Sequence, residues 1–236
     1  MGRTLTYLLT TVLPLIVSCT YSFLSLGLRD KKLSVAYFIA NSGTLVSYLE
    51  NNDPSSSLKL VNDEKNSSEY QSGALSFEFF YDNEKLVTNC GYYQDFKHKL
   101  NIISKSTASH STISIDDSSS CSFSKNPNGQ NFLKTNLKIF DKKIEDDQDK
   151  WHISAKHDGY QKKYGLNIQR DLIFLKNENK FIGTDKIISK RGFQNLEYEI
   201  RFHLMPGTNA IKTQDQKSIL IPVSYTHLRA HETEAD

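Results

Sequence analysis

The sequence predicts an all-β protein, a large antiparallel β-sandwich, and three observations carry that prediction. Apolar and polar residues alternate in short runs such as Ile113-Ser114-Ile115 and Tyr198-Glu199-Ile200-Arg201-Phe202, the pattern of a strand with one face inward and one toward water. Turn-forming clusters separate the runs, among them Asp82-Asn83-Glu84, Asn126-Pro127-Asn128-Gly129, Lys176-Asn177-Glu178-Asn179 and Pro206-Gly207. The chain is also rich in strand-forming aromatics, with 12 Tyr and 13 Phe against 2 Met in 236 residues.

Strands are expected in order at 33–39 and 44–49, which are dominated by Leu, Val and Tyr, and at 58–61. The next pair is 75–81, stopped by Asp82, and 85–90, stopped by Gly91. Alternation then marks 112–115, 137–140, 151–155, 171–175 and 197–204, and an apolar run closed by Pro222 marks 218–221. The serine-rich stretches 104–111 and 118–124 read as strand edges and loops. No repeat of about 20–50 residues is visible, which argues against a propeller or solenoid.

Composition excludes several classes of function. With 38% hydrophobic and 24% charged residues the chain is neither a charged disordered tail nor a polytopic membrane protein. Its 29 basic and 27 acidic residues are spread evenly, leaving a net charge of +2 and no electrostatic footprint for nucleic acid. Three cysteines are too few for a disulfide framework or a Cys-rich zinc module; Cys90 and Cys121 read by default as free, buried thiols, with a disulfide between them as the alternative in an exported protein.

Both ends stand apart from the fold. Residues 1–26 hold Arg3, an apolar run from Leu5 to Val17, and Ser18-Cys19. They read either as a bacterial-style secretory or lipoprotein leader, implying the cell envelope or periplasm, or as an apolar strand pair or non-native start in a cytoplasmic protein. The stretch Val223-Ser224-Tyr225-Thr226-His227-Leu228-Arg229-Ala230-His231-Glu232-Thr233 resembles an in-frame translation of a sequencing-library adaptor, so 223–236 reads as a foreign tail and 33–222 as the β domain.

Four stretches carry the chemistry: Tyr70-Gln71-Ser72-Gly73-Ala74-Leu75-Ser76-Phe77-Glu78 with Lys85 to Tyr93; Ser106 to Ile115 around His110; His157-Asp158-Gly159-Tyr160 with Tyr164 to Arg170 and Phe181 to Asp185; and Ile200-Arg201-Phe202-His203-Leu204-Met205-Pro206. In that order and spacing they resemble the C-terminal β-sandwich domain of the heparinase II/III-like family, over roughly residues 43–221. The resemblance implies a polysaccharide lyase acting on an acidic, uronic-acid-containing glycan such as a glycosaminoglycan or alginate. In the family an N-terminal α/α toroid precedes the β-sandwich and supplies most of the site. This sequence shows no toroid, so it is expected to be a partial and inactive lyase whose missing partner is that domain.

Carried over by position, the residues that some family members use for zinc are here Gln71, Asn89 and His110, and the resemblance therefore implies no metal and no cofactor: two neutral amides are poor ligands beside one imidazole. A hydrogen-bonded trio holding the sheet ends together is the expectation in its place. The candidate catalytic residues are His110 and Tyr93, and the candidate substrate-binding residues are Gln71, Asn89, His157 and Arg201. Each has a structural alternative: His110 a satisfied strand histidine, Tyr92 and Tyr93 sandwich filling, His157-Asp158 a turn, and Arg201 with His203 a solvated strand face. A non-catalytic carbohydrate-binding or envelope structural sandwich is the rival reading, since fold alone does not fix function.

Overall fold

A computed structural model describes residues 71–81, 84–135, 137–177, 180–189, 196–212, 214 and 219–221, together with the backbone of four strand segments at 4–8, 16–24, 33–38 and 45–50. The strands are β1 (Thr4–Leu8), β2 (Ile16–Leu24), β3 (Leu33–Phe38), β4 (Leu45–Glu50), β5 (Phe77–Tyr81), β6 (Glu84–Thr88), β7 (Ile113–Ile115), β8 (Ser122–Lys125), β9 (Asn131–Thr135), β10 (Ile139–Asp146), β11 (Lys150–Tyr160), β12 (Leu166–Leu175), β13 (Lys180–Ser189), β14 (Tyr198–Leu204), β15 (Ile211–Lys212) and β16 (Ile219–Leu220). Two short helices, α1 (Lys99–Ser104) and α2 (Gln161–Tyr164), and a 3-10 turn at Thr107–Ser109 interrupt them.

The protein is all-β, as its alternation predicts. One sheet runs β1-β14-β6-β5-β3-β4, with β7 also on β14; the other runs β10-β11-β12-β13-β2, and every pairing is antiparallel. The sheets pack face to face through one apolar core. Phe77, Phe79, Ile113, Ile200 and Phe202 come from the first sheet, and Trp151, Ile153, Leu172, Phe174 and Phe181 from the second. Phe181 bridges the layers, its ring 5.4 Å from Phe77 and 5.5 Å from Phe79. Strict alternation of buried and half-exposed residues along β12, β13 and β14 shows why a period of two in the sequence becomes one inward face.

The structure departs from the sequence reading in several places. The long strand β13 was not expected, because its inward row is Phe181, Gly183, Asp185, Ile187 and Ser189, and a glycine and an aspartate break the apolar alternation. The expected strands at 151–155 and 171–175 are the cores of longer ones, β11 and β12. The serine-rich stretches are interior: Ser104, Thr107, Ser109, Ser111, Thr112, Ser114 and Ser120 are buried, and 122–125 pairs with β9 across the Asn126-Pro127-Asn128-Gly129 turn. Their hydroxyls replace apolar packing with hydrogen bonds; Thr107 donates to the Ser72 carbonyl at 2.8 Å and accepts from the Ser120 amide at 2.9 Å. The expected strand at 58–61 and the tail at 223–236 lie outside the described residues. Within the leader-like start, β1 pairs with β14 and β2 with β13.

Edge strand β10 is kept from further pairing by charge and irregularity. It carries Asp141, Lys142, Lys143, Glu145 and Asp146, its register shifts between Phe140 and Lys143, and Asp141 sits at φ 50°.

Candidate functional site

The loop between β6 and β7 folds back over the end of the first sheet and presents three of the six predicted site residues, Asn89, Tyr93 and His110. His110 follows the 3-10 turn and is 5% exposed. Its Nδ1 lies 2.8 Å from the Ser106 carbonyl, which can only accept, so Nδ1 carries the proton. Its Nε2 lies 2.9 Å from Gln71 Oε1; with the proton on Nδ1, a hydrogen bond at Nε2 would need the Gln71 amide turned so that its NH2 donates. Burial holds the imidazole neutral by lowering its pKa to about 4.

The predicted trio is thus one direct bond and one neighbour. Gln71 meets His110, while Asn89 accepts from the Ser111 amide at 2.8 Å, one residue further on. Ser111 extends the arrangement, donating to the Thr88 carbonyl at 2.6 Å and accepting from the His203 amide at 2.9 Å. This donor set does not fit zinc. Nε2 of His110 already contacts Gln71, the two groups beside the imidazole are neutral amides, and among the described residues no three His, Cys, Asp or Glu side chains converge.

Gly73 shows how tightly the ring is held. A methyl group there would lie 2.4 Å from His110 Cδ2 and 2.8 Å from Cγ. Gly73→Ala is therefore expected to displace the imidazole and cost about 1–3 kcal/mol, the usual range for overpacking. Urea denaturation measures the loss, and an unchanged midpoint would contradict it.

Tyr93 stands at the mouth of this loop, 41% exposed, with its ring 5.0 Å from that of His98. Asn101 fixes it by donating to the Tyr93 carbonyl at 2.6 Å and to the Tyr92 hydroxyl at 3.2 Å. Beneath it Lys105, buried despite its charge, places Nζ 4.8 Å from the Tyr92 ring and 5.3 Å from that of Phe123.

The other two candidates lie elsewhere. His157 is 1% exposed, on β11 at a register shift rather than in a turn, and its Nδ1 accepts from the Gly159 amide at 3.1 Å. Burial, followed by the charge of Arg170, lowers its pKa to about 3, and a ring so enclosed offers no surface to a glycan. Arg201 is not on an open strand face: it is ion-paired with Glu199, 3.8 Å from Asp117, and hydrogen-bonded to Ser114. Cys121 is buried as expected, whereas Cys90 is exposed; neither is in a disulfide.

One heavily bonded side chain has no role assigned from the sequence. Arg170, fully buried, pairs with Asp185 through two 2.7 Å bonds, from Nε and Nη2, and its Nη1 donates to the Leu75 and Ser111 carbonyls at 2.8 Å each. Arg170 and Asp185 are direct cross-strand partners on β12 and β13, while Leu75 and Ser111 belong to segments over the other sheet. One guanidinium therefore ties the second sheet to the residue next to His110. The signal in the sequence was an Arg inside the apolar row Leu166, Ile168, Leu172, Phe174, legible only once the strand is extended back to Leu166.

These features define a large antiparallel β-sandwich domain with a polar cluster at one end of its sheets. A family model described as heparinase II/III-like, C-terminal, matches residues 58–233, and the chain belongs to that family. Among solved structures, the heparan sulfate lyase HepC from Pedobacter heparinus is similar at 11% identity and a TM-score of 0.35, covering 62% of this chain and 33% of that one. A mutant of the same lyase gives 10% identity and a TM-score of 0.33, covering 65% and 37%. The chain thus spans about a third of the length of these structures. No curated protein matches the sequence at a significant level.

Proposed function

We propose that this chain is the β-domain part of a polysaccharide lyase that cleaves uronic-acid-containing glycans by β-elimination. The match to the family's C-terminal domain over residues 58–233 is the observation that carries the reading. In such a reaction a base removes the C5 proton, the uronate carboxylate is neutralised, the C4–O bond breaks as a C4=C5 double bond forms, and the leaving oxygen takes a proton. In this reading exposed Tyr93 meets the sugar directly. His110, Gln71 and Asn89 act beneath it by fixing the loop that carries it, without a metal. The remaining acid, base and carboxylate-neutralising groups come from an N-terminal toroid, and this chain alone binds acidic glycan without cleaving it. A place in the cell envelope or periplasm, where such polymers are met, goes with this reading.

The enclosure of His110 favours a second reading, a purely carbohydrate-binding domain, because both ring nitrogens already have protein partners, Ser106 and Gln71. Affinity electrophoresis of the chain in gels containing heparin, chondroitin sulfate or alginate tests the binding that both share. Retardation by at least one polymer, weakened by salt, is expected, with no ultraviolet absorbance from an unsaturated uronate. Absence of retardation in all three overturns both readings, and unsaturated product from the chain alone overturns its inactivity. Product from the chain supplemented with a family toroid domain separates the lyase from the simple binder.

A further inference from the structure

We propose that Asn131, on the hairpin β8–β9, is a positioning residue for Tyr93 and acts on it through the side chain of Asn101; its use in binding glycan rests on the function proposed above. The hairpin pairs with neither large sheet of the sandwich, so the sheets do not account for it. Its Asn131 is 5% exposed and meets Asn101 across 30 residues of sequence.

Both polar groups of the Tyr93 backbone are held from α1. The amide donates to Ser104 Oγ at 3.1 Å, and the carbonyl accepts from Asn101 Nδ2 at 2.6 Å. Asn101 and Ser104 are the buried residues of this helix, while Leu100, Ile102 and Ile103 are exposed. That is the reverse of an ordinary amphipathic helix, and it is sustained because the inward polar groups find partners.

The Tyr93 carbonyl can only accept, which places the NH2 of Asn101 on it and turns Oδ1 the other way. There Asn131 Nδ2 donates to that oxygen at 2.8 Å. In this orientation Asn101 also donates to the Tyr92 hydroxyl at 3.2 Å. Asn131 thus selects the one setting of the Asn101 amide that clamps Tyr93. The same hairpin touches the loop a second time. Phe123 of β8 has its ring centroid 5.3 Å from Lys105 Nζ, which also faces the Tyr92 ring at 4.8 Å.

The test is amide hydrogen exchange of the full chain, read by peptide mass spectrometry. Asn131→Leu is similar in size and has no donor. It is expected to speed exchange in a peptide covering 92–104 about tenfold, the worth of one buried hydrogen bond left unmade, and to leave a peptide covering β12 unchanged. Exchange unchanged in 92–104, or rising equally in both peptides, overturns the assignment, since a residue that merely stabilises the fold moves the two together. Gel retardation then reads the use of the clamp. In whichever of the heparin, chondroitin sulfate or alginate gels retards the wild type, Asn131→Leu should weaken retardation and add nothing to the loss in Tyr93→Ala. Retardation left intact, or lost further in the double variant, overturns the link to binding. A wild type that no polymer retards overturns the glycan function, and the exchange rates still decide the positioning. Circular dichroism checks that each variant folds, and Asn131→Ala carries the same comparison if Asn131→Leu does not.

Discussion

Arg170→Met is expected to destabilise the protein by about 3–5 kcal/mol, which brings a domain of ordinary stability close to unfolding. The cost comes less from the lost attraction than from what remains. Asp185, 2% exposed, would keep a carboxylate in the core with no cation beside it, and the carbonyls of Leu75 and Ser111 would lose their donors. Leu75, held at φ 59° with its side chain fully buried, has no free rotation with which to turn its carbonyl toward another donor. Replacing both members, Arg170→Met with Asp185→Leu, should recover much of the loss, because removing a buried pair together is far cheaper than orphaning one partner. Urea midpoints of wild type, both singles and the double give the coupling directly. A single variant within about 0.5 kcal/mol of wild type, the range of an ordinary surface substitution, would show that the pair carries no such weight.

Acidification is expected to produce the second large effect. His110 and His157 titrate near 4 and near 3 in the folded protein, both chiefly because burial penalises the imidazolium, against about 6.5 in the unfolded chain. Below pH 6.5 the unfolded state therefore binds more protons than the folded one, so stability is complete above that pH and falls as pH drops toward 4 and 3. By pH 5 each histidine should have removed about 2 kcal/mol, in a window where ordinary carboxylates are still ionised. The urea midpoint should drop accordingly between pH 7 and 5, and His157→Gln should lose about half of that slope. A midpoint level across this range would contradict the burial of both rings.

Much of the fold was legible because sandwich strands advertise themselves by alternation. Tyr198 to Leu204 shows the pattern without interruption and is a strand over that span. The reading failed where a polar residue occupies an inward position for a specific reason: Arg170 and Asp185 break the rows of β12 and β13 because they answer each other, and no local pattern reveals a partner 15 residues away. The Gln71–His110 contact was anticipated from family spacing alone, since 39 residues separate the two in sequence. The buried serines misled for a related reason. A hydroxyl satisfied by a backbone carbonyl inside a protein and one satisfied by water are the same letter in the sequence.

The order of strands in the first sheet also governs when the protein can fold. β14 is its hub, contacting β1, β6 and β7, yet among the described residues it is the last long strand, and its pairing with β1 joins Thr4 to His203. During synthesis the early strands wait, with edges unpaired, until β14 has left the ribosome. Pairings of such sequence separation place folding in the slow, millisecond-to-second regime of β proteins. The hazard lies in that interval, when exposed edges of neighbouring nascent chains can pair with one another. Truncation before Tyr198 would make that waiting state permanent, so aggregation rather than a smaller folded domain is its outcome.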